Sequence, residues 1–208
     1  MSIKIINNVP YIGCQDIYFY KITKDDETGY TADAETMLKV PELVQVAYNP
    51  NATDSAFYSN NVKKITDTTY APSAAFTLSG DCEELETFLF NKVKSGAAIL
   101  DNLGQNAQIG MFYAQNKAGG AWIIRQILKC TCSKAERNVD TKGENISFQT
   151  AATNVNPLYC NHFKSYVREF FSEDEKFTGK TLDDVLAALA ANPSEDFNTW
   201  PQVYHKNI

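Results

Sequence analysis

The sharpest candidate for chemistry is Cys160-Asn161-His162, which sets a thiol and an imidazole two residues apart. A cysteine nucleophile needs a base to take its proton and a third group to orient that base. Side chains two apart on an extended strand point the same way. The nucleophile and base of cysteine enzymes, however, come from distant parts of the chain. The only other histidine is His205. A structural role for the trio is therefore expected; the catalytic alternative would announce itself as a low-pKa thiol reactive towards alkylating agents.

Other groupings offer less. Cys130-Thr-Cys132 could present two thiolates on one strand face, but structural zinc uses C-x₂₋₄-C spacing with a second ligand pair, which is missing. These read as core cysteines. Asp25-Asp26-Glu27 lacks the spacing and closing Glu of a calcium loop, so it reads as a solvated acidic segment. Gly119-Gly120 belongs to a hairpin rather than a strand-to-helix phosphate loop. The 11 Tyr and 12 Phe have no basic residues interleaved, which argues for packing and subunit contacts over base stacking. No catalytic, metal or cofactor-binding residue is assigned: the chain is expected to be no enzyme and to carry no cofactor.

Composition narrows the partners. The 208 residues fit one domain, or one with a modest extension, and a hydrophobic fraction of 44% is enough for a core. Net charge is −6 with scattered Lys and Arg, so no basic stripe is available to grip phosphates. Five cysteines, an odd number in no disulfide-like spacing, suit a reducing cytoplasm with buried free thiols. The N-terminus does not read as a signal peptide, and no apolar run nears a membrane span, so no membrane partner is expected.

The elements around these residues read mainly as strands. Tyr11–Thr23 alternates Ile17 and Phe19 against Tyr18, Tyr20 and Ile22, so both faces should be covered. The stretch 24–36 is polar and acidic, an exposed long loop or an extended hairpin. Val40–Tyr48 is expected as a strand ended by Asn49-Pro50-Asn51, with Phe57–Asn61 a turn-rich connector. Val62–Thr66 and Tyr70–Leu78 follow as strands, and 81–93 as a helix capped by Asp81. Ile109–Gln115 and Ala121–Thr131 form a hairpin, with Trp122, Ile124, Gln126, Leu128 and Cys130 on one face. Glu144–Ala151 is a further strand. Thr181–Ala191 is a short amphipathic helix opened by a capping-box pattern, Thr181 with Asp184, and striped by Leu182, Val185, Leu186 and Leu189. The fold class is thus mainly β with one flanking helix, a domain over 1–154 and a C-terminal extension over 155–208 with its short helix.

Three segments together resemble the major tail (tail tube) protein family of siphovirus-type bacteriophages. They are Gly13-Cys-Gln-Asp16-Ile-Tyr-Phe-Tyr20 with the acidic stretch and Gly29-Tyr30; Leu43-Val-Gln-Val-Ala-Tyr-Asn49-Pro50-Asn51-Ala52 with Phe57-Tyr58-Ser-Asn60-Asn61; and Ala135 to Thr150, with Thr141-Lys142-Gly143 and Phe148-Gln149-Thr150. Their order and spacing over residues 8–153 carry the resemblance, and the chain from Pro157 departs from it.

The resemblance implies a tail-tube β-sandwich or barrel with a flanking helix. Subunits would form hexameric rings whose inner sheets join around a lumen. Rings would stack, and DNA would pass without specific binding. Lys24, Asp25, Asp26, Glu27, Tyr30, Asp33 and Glu35 are then the candidate ring-stacking loop, and deleting Asp25–Thr36 should leave the core folded while stopping tube growth. Partners would be further copies of the chain, a tape measure protein and a tail terminator, in a virion tail assembled in the bacterial cytoplasm. Alternatives are the tube protein of a contractile tail or injection device, or a phage decoration or adhesin module.

Overall fold

A computed structural model describes residues 9–41, 43–59, 62–80, 82–101, 107–135 and 150–199. The fold is mainly antiparallel β with two α-helices. In order these are β1 (Tyr11–Asp26), β2 (Gly29–Val40), β3 (Leu43–Asn49), β4 (Ala52–Ser59), β5 (Val62–Tyr70), β6 (Ser73–Leu78), α1 (Glu83–Phe90), β7 (Val93–Ser95), β8 (Ala98–Leu100), β9 (Ile109–Lys117), β10 (Trp122–Lys134), β11 (Ala151–Pro157), β12 (Val167–Phe171) and α2 (Leu182–Ala191). Among the described residues no helix is long and apolar enough to cross a membrane.

The chain divides into two units. The first is Met1–Leu43, Gln108–Lys129 and Tyr159–Ile208. Its strands run in the order β2-β1-β9-β10, and β12 pairs antiparallel with Ile123–Ile127 of β10. Among the described residues β2 is the edge of this sheet. Ile17, Tyr18, Phe19 and Tyr20 are all buried, so both faces of β1 are covered, as their alternation demands. One face gathers Tyr18, Tyr20, Tyr30, Phe112, Trp122, Ile124 and Leu128 with Phe177, Val185, Leu186, Leu189 and Phe197 of the C-terminal segment. Stacked rings of Tyr18 and Phe112, 4.5 Å apart, bind β1 to β9 on this face. Gly110 pairs with Tyr20, and a Cβ at Gly110 would overlap the Tyr20 ring. Glycine here is a packing requirement.

Helix α2 forms as its sequence directs. Thr181 Oγ1 accepts from the Asp184 amide at 3.2 Å, and Asp184 Oδ2 accepts from the Thr181 amide at 2.8 Å, which closes the capping box. Val185, Leu186 and Leu189 are its buried stripe. The C-terminal segment therefore belongs to the same unit as β1, β2 and β9, whereas the sequence pattern suggested a boundary at 154/155. Periodicity reveals which faces are apolar, but not which apolar faces meet.

The second unit is Val44–Ala107 and Cys130–Leu158. The end of β10 pairs with β11, then come β6 and β3. Its buried apolar residues include Phe76, Leu78, Leu85, Leu89, Cys130, Cys132 and Val155. β4 and β5 pair with one another as a separate hairpin, so the connector expected at Phe57–Asn61 is strand as far as Ser59. Tyr70–Leu78 is not one strand: β5 ends at Tyr70 and β6 starts at Ser73, because Pro72 between them has no N–H for a ladder. Helix α1 is shorter than 81–93. Cys82 is its N-cap without a side-chain bond, and Asn91 ends it in the left-handed region at φ 50°. Val93 has already entered β7. Asp81, the expected cap, and most of the expected strand Glu144–Ala151 lie outside the described residues.

Candidate functional site

The acidic stretch 24–36 is the end of one hairpin, so the extended-hairpin expectation is the one observed. Asp26 makes its turn: Oδ1 accepts from the amides of Thr28 at 2.8 Å and Gly29 at 3.1 Å, and from the Thr28 hydroxyl at 2.6 Å. Short polar side chains that satisfy nearby amides are what a two-residue turn needs. Lys24 Nζ donates to Thr28 Oγ1 at 2.7 Å and lies 3.5 Å from Asp26. Farther down, β2 carries extra residues between Asp33 and Leu38, a bulge opposite Phe19–Lys21. Asp33 Oδ1 accepts from the Glu35 amide there at 3.1 Å. A bulge bends its strand and increases the local twist.

One rung of this hairpin turns inward. Asp25 pairs with Tyr30 across the two strands. The Asp25 carboxylate is 3% exposed and its oxygens are divided between two elements. Lys129 of β10 reaches Oδ2 at 2.9 Å. The Cys160 thiol at 3.2 Å and the amides of Asn161 at 2.9 Å and His162 at 3.3 Å donate to Oδ1. Burial alone would raise this carboxyl's pKa, but the Lys129, Cys160 and His162 donors outweigh it and hold the pKa below the ordinary value. The two amide donors lie on a tight turn, 161–164, closed by the Cys160–Ser165 bridge with Lys164 at φ 50°.

Tyr30 continues the rung into the interior. Its hydroxyl donates to the Leu128 carbonyl at 2.5 Å and lies 3.0 Å from that of Tyr20. Burial, then the neighbouring Tyr20, push its pKa far above the usual phenol value, so it stays a protonated donor. Gln126 Nε2 donates to Tyr20 at 2.7 Å and to the Pro193 carbonyl at 2.8 Å. Its Oε1 accepts from Arg168 Nε at 3.0 Å and Nη2 at 2.7 Å. The guanidinium lies against the Phe163 and Phe170 rings, with burial lowering its pKa. Every polar atom of Gln126 thus has a partner, as a buried network requires.

Of the seven candidate residues, Lys24, Asp26, Glu27 and Glu35 are exposed and Asp33 is half-buried. Asp25 and Tyr30 are not on an exposed loop: their side chains dock the hairpin inside the first unit. Deleting Asp25–Thr36 would take Tyr30 out of the core, so that deletion is no longer expected to leave the fold intact.

Cys160 and His162 do meet at a common atom, but it is Asp25 Oδ1, reached by the thiol and by the His162 backbone. The imidazole stands edge-on to Phe163 at 4.8 Å. Burial, and the Asp25 carboxylate beside it, push the Cys160 pKa up, the opposite of an activated nucleophile. Cys130 and Cys132 are buried free thiols, and a hydrogen bond between them, then burial, raise the Cys130 pKa. Among the described residues no cluster of three or more His, Cys, Asp or Glu could hold a metal ion.

Sequence reading missed Lys129 and Arg168. A signal existed for Gln126, the one polar residue on the apolar face Trp122, Ile124, Gln126, Leu128, Cys130. A buried amide in that position implies a partner.

No protein-family model matches this chain, and no curated protein matches it.

Proposed function

We propose that the chain is a structural subunit of a bacteriophage tail tube, folded as a β-sandwich or barrel that joins further copies into stacked, hexameric rings around a lumen for DNA. It acts by assembly and carries out no catalysis. The order and spacing of the motifs over residues 8–153 support this reading. So does one structural observation: strand edges that no other strand pairs among the described residues. Among the described residues, the twelve residues of β2 end the sheet of the first unit, and β4 and β5 pair as strands only with each other. An isolated two-stranded ribbon is marginal in water, and an uncovered edge invites another chain. Closing a ring satisfies such edges as closing a barrel does.

The exposed tip Asp26–Glu27, together with Lys24 and Glu35, is the part of the hairpin available to a neighbouring ring. The tape measure and tail terminator proteins would be its other partners in the virion tail. A net charge of −6 per copy suits a lumen that lets DNA slide without gripping it.

Light scattering on the purified chain over a wide concentration range tests this. A species of ring mass that grows with concentration is the expected result. A monomer at every concentration would contradict it.

A further inference from the structure

The hairpin tip and the C-terminal segment are joined chiefly at one carboxylate, that of Asp25, whose bonding exceeds what a turn needs. Asp26 already makes the turn by itself, satisfying the Thr28 and Gly29 amides. Asp25 adds nothing to that turn. Instead it accepts donors from two other elements, Lys129 on β10 and the amides and thiol of the 160–162 segment. The side chain of Asn161 also reaches the Asp25 backbone carbonyl at 3.4 Å. A second tie lies on the same rung, where Ser194 Oγ donates to the Tyr30 carbonyl at 2.9 Å. The C-terminal segment thus holds both strands of the hairpin beside its exposed tip.

We propose that Asp25 is a positioning residue through which the turn 161–164 fixes the pose in which the β1–β2 tip meets a second copy of this chain. The inference rests on the tube-subunit reading for its partner, though not for the latch itself. Its physical basis is preorganisation. A polar tip left free would lose conformational entropy on docking to another ring, whereas a tip already held has little left to lose. The same contact gives the C-terminal segment, which stands outside the resemblance, a role in assembly. Asp25 is suited to the task because one carboxylate joins two strands, β1 and β10, and a turn through charge-assisted bonds, the strong class of hydrogen bond.

The test uses the full chain and its Asp25→Asn and Lys129→Met variants. Asn keeps the size of Asp while losing the charge and one acceptor, and Met keeps the lysine stem. Amide hydrogen exchange reads the latch without any assembly. Exchange over 22–31 and 160–164 is expected to rise about tenfold or more in both variants while exchange over 182–191 stays unchanged, the pattern of a local opening. Electron microscopy reads the consequence: the variants form rings but few or no stacks.

Three results would overturn the proposal. Unchanged exchange in the hairpin removes the latch. An equal rise in α2 in both variants makes Asp25 a general core residue. Faster local exchange with undiminished or enhanced stacking shows that the pose of the tip does not govern assembly. If the wild-type chain forms no rings, the tube reading fails by itself, and the exchange arm still decides whether the latch exists.

Discussion

The two hairpins β1–β2 and β4–β5 differ in how their described side chains are held. β1–β2 sends Tyr18, Tyr20, Asp25 and Tyr30 into its own unit, and polar partners meet it there. The described side chains of β4–β5, from Ala52 to Ala56 and from Thr68 to Tyr70, are exposed or half-buried. Among the described residues, Thr68 bonds Asp54 at 2.6 Å and Thr69 bonds the Thr53 carbonyl, both within the hairpin. The contrast teaches that one inward rung can fix a polar strand segment to its unit, with Asp25 and Tyr30 as that rung in β1–β2. On the tube reading proposed above, β4–β5 is the hairpin that waits for a partner.

Breaking the contrast should be easiest from beneath the fixed hairpin. Replacing Gln126 by Ala removes the amide oxygen that accepts from Arg168 Nε and Nη2 and the amide that donates to Tyr20, and a loss of about 3 kcal/mol is expected, read by urea unfolding. Adding a methyl at Gly110 is expected to cost about 2 kcal/mol, because the Tyr20 ring it meets is locked by packing on all sides. A loss below about 0.5 kcal/mol in either variant would mean that the network is not under load.

Acid sharpens the comparison further. The folded-state pKa of Asp25 is lowered from 3.8, so its stabilisation is complete above the unfolded value and fades as pH falls through the folded one. Melting temperatures measured from about pH 5 down to about pH 2 should therefore drop more steeply in the wild type than in Asp25→Asn. Parallel acid limbs would remove Asp25 from the account. Removing the helix cap with Thr181→Ala should cost about 1 kcal/mol in thermal unfolding. The smallest effect is expected in β4–β5: Thr68→Ala should shift monomer stability by less than about 0.5 kcal/mol, since Thr68 is only half-buried and its partner Asp54 is exposed.

What the sequence made legible follows a physical line. Local features came through: the capping box Thr181–Asp184, the alternating faces of β10, the Gly119-Gly120 turn, both covered faces of β1. Each is decided by neighbours within a few residues. Long-range meetings were hidden. Nothing near Asp25 in the chain announces Lys129 or Cys160, which stand 104 and 135 positions away. An acidic run reads as solvated because most such runs are, and the exception is made by partners from remote strands. The same blindness placed a boundary before the C-terminal segment. Its aromatic residues Phe170, Phe177 and Phe197, with ring centroids 4.9–6.3 Å apart, pack into the first unit alongside Trp122. Their polar spacing in sequence concealed that cluster.

The central claim is that the waiting edges exist to be filled by copies of the same chain. Electron microscopy of the purified protein at high concentration tests it most directly. Rings or tubes with a central lumen, built from repeated copies, are the predicted result. A field of uniform monomers under those conditions would contradict it.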